Sequence, residues 1–171
     1  MIVGIMSDTH DNLSQIDKAV RKLLGKKVEL VLHAGDYVSP FVIPHFKPFR
    51  SKFIGVFGNN DGDHEFLRRR FAEFGLEIRG VFAEVKVNSL RIALLHGGEP
   101  GSPPGPSELL KSLLASECYA VIVYGHVPDP KAYKKRKTLI VNPGEVCGYL
   151  TGKSTVAVLN TETVDAKIVP L

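Results

Sequence analysis

An α/β fold is predicted by three features of the 171-residue sequence. Short, continuous apolar runs alternate with amphipathic segments of helical period through the first half. Each apolar run stops at a polar corner that carries glycine or aspartate. From about residue 81 the pattern changes to short strands separated by turns, so the second half reads as mostly antiparallel β.

Ile2–Met6 is apolar throughout, the mark of a strand covered on both faces, and it ends at Ser7-Asp8-Thr9-His10. Leu13, Ile16, Val20, Leu23 and Leu24 recur at helical spacing and predict a helix that Gly25 terminates. Val28–Leu32 is a second strand, ending in His33-Ala34-Gly35-Asp36. Ser39-Pro40 is suited to cap a short helix carrying Phe41 and Val42. A third strand, Phe53–Phe57, ends in Gly58-Asn59-Asn60-Asp61. Asp63 caps a helix with Phe66, Leu67, Phe71 and Phe74 on one face, closed by Gly75. This β-α-β-α-β-α order implies parallel strands joined by right-handed crossovers.

In the second half, Val81–Val87 alternates, Asn88-Ser89 is a hairpin turn and Ile92–Leu95 is a buried run. Ser107 caps a helix with Leu109, Leu110, Leu113 and Leu114 inside. Further strands are expected at Val121–Tyr124, Leu139–Val141, Val156–Leu159 and Val164–Val169. Gly97–Pro106 holds four glycines and four prolines in ten residues, which excludes a helix or central strand. It reads as an irregular loop or, since it starts directly after His96, as a lid beside a site.

A chain of this length is expected to form one domain spanning 1–171. With 44% hydrophobic and 23% charged residues, disorder is excluded. The formal charge of +4 is compatible with phosphate-bearing partners without demanding them. Two cysteines, Cys118 and Cys147, cannot make a disulfide framework, and a reduced, cytoplasmic setting is expected. Met1–Met6 is shorter than the roughly 7–15 residues of a signal h-region. Nothing approaches the roughly 18 apolar residues of a membrane span, so no membrane partner is expected. Lys134-Lys135-Arg136-Lys137 reads as a solvated hairpin and Arg68-Arg69-Arg70 as a polar helix face. Neither is interleaved with aromatic residues, so nucleic acid is not an expected partner, while a homo-oligomer is left open.

Chemistry is carried by the residues just past the strands. Asp8 and His10 come after the first strand, Asp36 after the second, Asn59 after the third, His96 after the run at 92–95 and His126 after the run at 121–124. Functional groups of α/β sheets gather at the carboxyl ends of strands. Each piece alone is a common cap or turn. Together they form the mixed carboxylate, amide and imidazole set that two divalent cations require. His33 also lies at a strand end, as an orienting group or a packed side chain. His45 and His64 do not, and read as surface or loop residues.

In order along the chain, Asp8-x-His10, Gly35-Asp36, Gly58-Asn59-Asn60-Asp61, His96-Gly97 and Gly125-His126 resemble the signature of the calcineurin-like metallophosphoesterases. Asn142-Pro143-Gly144-Glu145 resembles the small archaeal and bacterial phosphodiesterase subgroup. The resemblance covers Met1 to about Leu150. It implies a four-layer α-β-β-α sandwich with two mixed β-sheets. It also implies a phosphodiesterase that hydrolyses P–O ester bonds with a metal-bridged hydroxide at a dinuclear site. Asp8, His10 and Asp36 would hold one ion, and Asp36, Asn59, His96 and His126 the other; manganese, nickel, iron, cobalt and zinc all suit such donors. The implied substrate is a small phosphodiester or a nucleotide.

Two positions depart from the family pattern. Asn60 stands where many members have a histidine serving as general acid, and its amide has no proton to give at neutral pH. With Asp36, it is the candidate catalytic residue. Pro128 stands where a histidine usually completes the first metal site; Asp129 could reach in only if the loop shifts, and otherwise the site is weak or completed by water. These departures keep open an alternative: a non-catalytic interaction module on the same fold, as in the retromer coat subunit.

Overall fold

The computed structural model describes residues 1–98 and 108–171. Its elements run β1 (Ile2–Met6), α1 (Leu13–Gly25), β2 (Leu30–His33), a 3₁₀ helix (Pro40–Phe49), β3 (Phe53–Gly55), α2 (His64–Glu73) and β4 (Glu77–Ile78). There follow β5 (Phe82–Val87), β6 (Leu90–Leu95), α3 (Glu108–Ser116), β7 (Val121–Val123), β8 (Lys131–Lys135), β9 (Thr138–Asn142), β10 (Thr155–Asn160) and β11 (Asp165–Pro170).

Two sheets result. One has the order β11-β10-β1-β2-β3-β4, with β1 to β4 parallel and β10 antiparallel to both its neighbours. The other has the order β5-β6-β7-β9-β8. Both are mixed, and apolar contacts sort the molecule into four layers. The inner faces of the sheets meet through Val3, Ile5 and Leu32 on one side and Val85, Leu94, Val123 and Val141 on the other. The outer face of the first sheet is covered by α1, the 3₁₀ helix and α2 through Ile16, Leu23, Phe46 and Phe71. The outer face of the second is covered by α3 through Leu110. The α-β-β-α sandwich that the resemblance implied is therefore the fold. Among the described residues, no helix is long and apolar enough to cross a membrane.

Local chemistry explains the elements. The Asn12 side chain accepts from the Gln15 amide and starts α1, while the Asp63 carboxylate accepts from the Phe66 amide and starts α2. The segment after Ser39 is longer than expected and is 3₁₀ rather than α. Pro44 and Pro48 each remove an amide donor from its interior, which disfavours regular α-helical bonding. The second half is less antiparallel than its pattern suggests, because β6, β7 and β9 are parallel neighbours. Antiparallel pairing is confined to the hairpins β5–β6, β8–β9 and β10–β11 and to β1–β10. The basic run is a hairpin as expected, but Lys134 and Lys135 belong to a strand, β8, at the sheet edge, where lysines discourage pairing with another chain. Ser107 and most of Gly97–Pro106, read as cap and lid, lie outside the described residues.

Under the first sheet lies an aromatic cluster. Tyr37 is fully buried, with its ring 4.1 Å from that of His33 and 4.8 Å from that of Phe71. Gly55 makes room for it: a Cβ there would stand 1.9 Å from the Tyr37 Oη. Surrounding rings prevent Tyr37 from swinging aside. Gly55→Ala is therefore expected to cost about 1–3 kcal/mol of stability, read from chemical denaturation midpoints.

Candidate active site

Strands β1 and β2 run in parallel, so their carboxyl-terminal corners leave the sheet side by side and bond to each other. Asp8 N donates to Gly35 O at 3.0 Å, and Thr9 N and His10 N both donate to Asp36 O at 3.0 and 3.1 Å. The backbone there is left-handed at Asp8 (φ 54°), His10 (φ 39°) and Asp36 (φ 63°), and again at His126 (φ 66°). Such conformations are sparsely populated outside glycine and persist only where the surroundings fix them.

Asp61 does much of that fixing. Its carboxylate accepts the backbone N–H groups of Asp36 (3.1 Å), Tyr37 (2.6 Å), Val38 (2.8 Å) and Gly58 (2.7 Å). It thereby joins the corner after β2 to the corner after β3. Burial pushes its pKa up, and the nearby Asp36 charge adds to this against the pull of the amide donors. In the sequence Asp61 is only the last residue of a turn-like motif; a carboxylate two residues after Asn59 is the one signal of this role. Glycines allow the corners to touch. A Cβ at Gly58 would stand 2.1 Å from Asp36 Oδ1, and one at Gly35 would stand 2.7 Å from Gly58 N.

The six residues placed at strand ends converge on one locus. Asp8, His10 and Asp36 each offer a donor atom within 4.8 Å of the other two, a group able to hold a metal ion. His10 Nε2 lies 3.4 Å from Asp36 Oδ2 and 3.7 Å from Asp8 Oδ1. His96 Nε2 lies 3.3 Å from the same Asp36 oxygen, and its ring is 5.3 Å from that of His126. His126 is tied to the first strand end, since its backbone N donates to Asp8 Oδ2 at 3.1 Å. A Cβ at Gly98 would stand 2.4 Å from His126 Nδ1 and 2.7 Å from Asn59 Oδ1, which places those two donors together. Asn60 is bound to the same cluster: its backbone N and carboxamide Nδ2 donate to the two oxygens of Asp36 at 2.9 and 2.8 Å.

The donor chemistry fits divalent cations. His96 Nδ1 is 2.7 Å from the Ala34 carbonyl, which only accepts, so Nδ1 carries the proton and donates. Nε2 is then the lone-pair side, buried, facing a carboxylate and, among the described residues, without a hydrogen-bond partner. Burial alone would lower the pKa of His96, but the Asp36 carboxylate outweighs it and raises the value. Conversely, burial would raise Asp36, yet His96 and Asn60 hold it well below the usual carboxylate range. His10 is raised chiefly by its contact with Asp8. Electron-rich donors this close need positive charge between them, and divalent cations serve all of them at once.

The neighbouring residues act as supports. His33 is fully buried: its Nδ1 accepts from Gly35 N at 3.1 Å, so its Nε2 carries the proton towards Thr9 Oγ1 at 3.3 Å. The Thr9 hydroxyl in turn donates to Asp36 O at 3.2 Å. Burial keeps the His33 pKa well below normal and the ring neutral, and of its two sequence readings the orienting one describes these bonds. In Asn142-Pro143-Gly144-Glu145, Asn142 Nδ2 donates to Val127 O at 2.6 Å, fixing the His126 loop. Glu145 accepts from the Leu150 and Thr151 amides and orders the turn that carries Tyr149. Pro128 lies in the wall of the site, whereas Asp129 is exposed and paired with Lys131 at 3.0 Å. His64 is also exposed, but its ring lies flat on Phe57, 4.0 Å away and 2° from parallel, in a recess shared with Asn59 and His96.

An α-β-β-α sandwich with carboxylate, imidazole and amide donors converging at its strand ends defines a metal-dependent phosphoesterase. More particularly, residues 1–164 match the calcineurin-like phosphoesterase superfamily domain, and the chain belongs to that superfamily. It is 37% identical to a phosphodiesterase of Methanocaldococcus jannaschii, over 95% of this chain and 94% of the relative. The solved structure of an archaeal phosphodiesterase superposes with a TM-score of 0.90 at 35% identity, with both chains covered in full. Vps29 of Entamoeba histolytica shares the fold with a TM-score of 0.71 at 16% identity, over 100% of this chain and 99% of that one. The protein is accordingly a hydrolase of phosphate esters.

This geometry leads to two expected outcomes. Asp61→Ala leaves four amide donors without their acceptor. It should cost about 2–4 kcal/mol in denaturation experiments and weaken metal binding about tenfold or more in calorimetric titrations. Asp129→Ala should leave the metal titration unchanged, because its carboxylate is engaged by Lys131 on the surface.

Proposed function

We propose that the protein is a phosphodiesterase acting on small phosphodiesters, with a site whose donors would hold a pair of divalent cations. The observation that carries this reading is the Asp36 carboxylate, approached by both His10 and His96 and therefore able to serve two ions. One ion is assigned to Asp8, His10 and Asp36, and the second to Asp36, Asn59, His96 and His126. Oxygen and imidazole donors of this kind suit manganese and its first-row neighbours. When bound, the cations supply the charge that neutralises the phosphate oxygens and makes hydroxide available from water near neutral pH. The 37%-identical phosphodiesterase supports the diester preference. A cytoplasmic setting belongs to the same reading, supported by Cys118 and Cys147 being free thiols.

The chain's own residues divide the remaining work. Asn60 donates to both oxygens of Asp36, so the carboxylate is oriented before any cation arrives. His33 and Thr9 fix the backbone carbonyl of the same residue. Asn60 offers no titrating proton, so the leaving oxygen departs largely as an anion, which favours phenols and other acidic alcohols as leaving groups. Pro128 brings no donor, so an ion at Asp8, His10 and Asp36 would have fewer protein ligands than one at Asp36, Asn59, His96 and His126.

A second reading, a non-catalytic interaction module like the retromer subunit, draws on the fold shared with Vps29 and on the departures at positions 60 and 128. Hydrolysis of bis(4-nitrophenyl) phosphate with added Mn²⁺ separates the two. Turnover supports the enzyme, and Asp36→Asn should then lower kcat/KM at least about a hundredfold while the circular dichroism spectrum is kept. No turnover in the metal-loaded wild type would favour the module.

A further inference from the structure

We propose that the recess beside Asn59 and His96 is a subsite for a ring-bearing ester arm of the substrate, an aryl or nucleobase-type group. This rests on the phosphodiesterase reading above, since the phosphate must sit at the ion cluster for an arm to reach the recess. The recess has a volume of about 460 Å³ and opens directly off two of the candidate ligands. Its other walls are Phe57, Leu95, Val81 and Leu109, with His64 as the added polar group. Val81 and Leu109 are 64% and 41% exposed, so apolar surface is left in water at the rim of a site built from charged and polar donors. A ring laid against them would remove that surface from water.

The walls favour a planar occupant. His64 and Phe57 are already stacked face to face, so the aromatic wall is formed before any ligand arrives. The guanidinium of Arg68 lies 5.7 Å from the Phe57 ring centroid, a further restraint on that ring. The imidazole edge of His64 provides hydrogen-bonding atoms that an alkyl chain cannot use and a heterocycle can. A second recess shares Asp8, His10 and His126 with the cluster, and is walled by Tyr149 and Leu150. It is much smaller, about 150 Å³, and among the described residues none lines both recesses. A diester has two arms, and the site has two unequal places for them. The larger arm is assigned to the Phe57–His64 side.

Phenylphosphonate and methylphosphonate share a headgroup and differ only in the group offered to the recess, so calorimetric titration of the Mn²⁺-loaded protein with each tests the proposal. Phenylphosphonate should bind at least about tenfold more tightly, from burial of the ring. Val81→Ser and His64→Ala should each remove most of that difference, weakening phenylphosphonate far more than methylphosphonate. Equal affinities in the wild type, or a preference that both variants retain, would overturn the subsite even if bis(4-nitrophenyl) phosphate is hydrolysed. A phenyl preference abolished by the variants, in a protein that hydrolyses no diester, would uphold the subsite and sink the phosphodiesterase reading. Failure of both phosphonates to bind would overturn the subsite, while the phosphodiesterase reading stands or falls on turnover of bis(4-nitrophenyl) phosphate.

Discussion

Four backbone amides from two separate strand corners end on the carboxylate of Asp61, and the site depends on that junction. Asp36 has a left-handed backbone, and so does Val38 two residues later. Unsupported, a segment of this kind would relax and carry the Asp36 carboxylate with it. Asp61 prevents this by making the same bonds that hold the corner also hold Gly58, and hence the Asn59-Asn60 turn. Asn60 then closes the circuit by donating back to Asp36. The Asp36 carboxylate and the neighbouring amides are thus one hydrogen-bonded unit, preorganised by the folding of two loops.

Parallel pairing supplies the frame on which that unit is built. Because β1, β2 and β3 point the same way, their ends lie in a row, and the corners after them are close enough to bond. The second sheet repeats the arrangement with β6 and β7, whose ends carry His96 and His126. The two sets meet because the sheets pack face to face through aliphatic side chains. Carboxylates come from the first sheet and the imidazoles of His96 and His126 from the second. The apolar interface between the layers therefore sets the distance between the carboxylates and these two imidazoles.

Much of this was legible in the sequence, and the hidden part had physical causes. Ile2–Met6 and the helix after it announce themselves because burial imposes a period on side chains. The six convergent donors could be named because each comes after an apolar run. Partners chosen by tertiary distance could not be read in this way. Nothing local distinguishes Asp61 from a turn aspartate, or shows that His64, three residues past that turn, would stack on Phe57 beside the site. Strand β4 has two residues, too few to show a period. The parallel order β6-β7-β9 depends on crossovers through α3 and β8, and β8 reads as a charged hairpin because its edge position asks for lysine.

The glycines of the site have a consequence for how the protein can change over evolutionary time. At Gly35, Gly58, Gly98 and Gly125 a single methyl group would collide with a donor side chain or the loop that carries it, so the architecture of the cluster is guarded at the level of one carbon. Positions 60 and 128 have no such guard: Asn60 is exposed and Pro128 half-buried at the rim. Substitution at position 128 therefore meets no steric bar from the scaffold, while at position 60 it would cost the two bonds to Asp36 but force no collision. The frame is thus closed to added atoms where the donors meet and open to them at the rim, where both departures from the expected pattern lie.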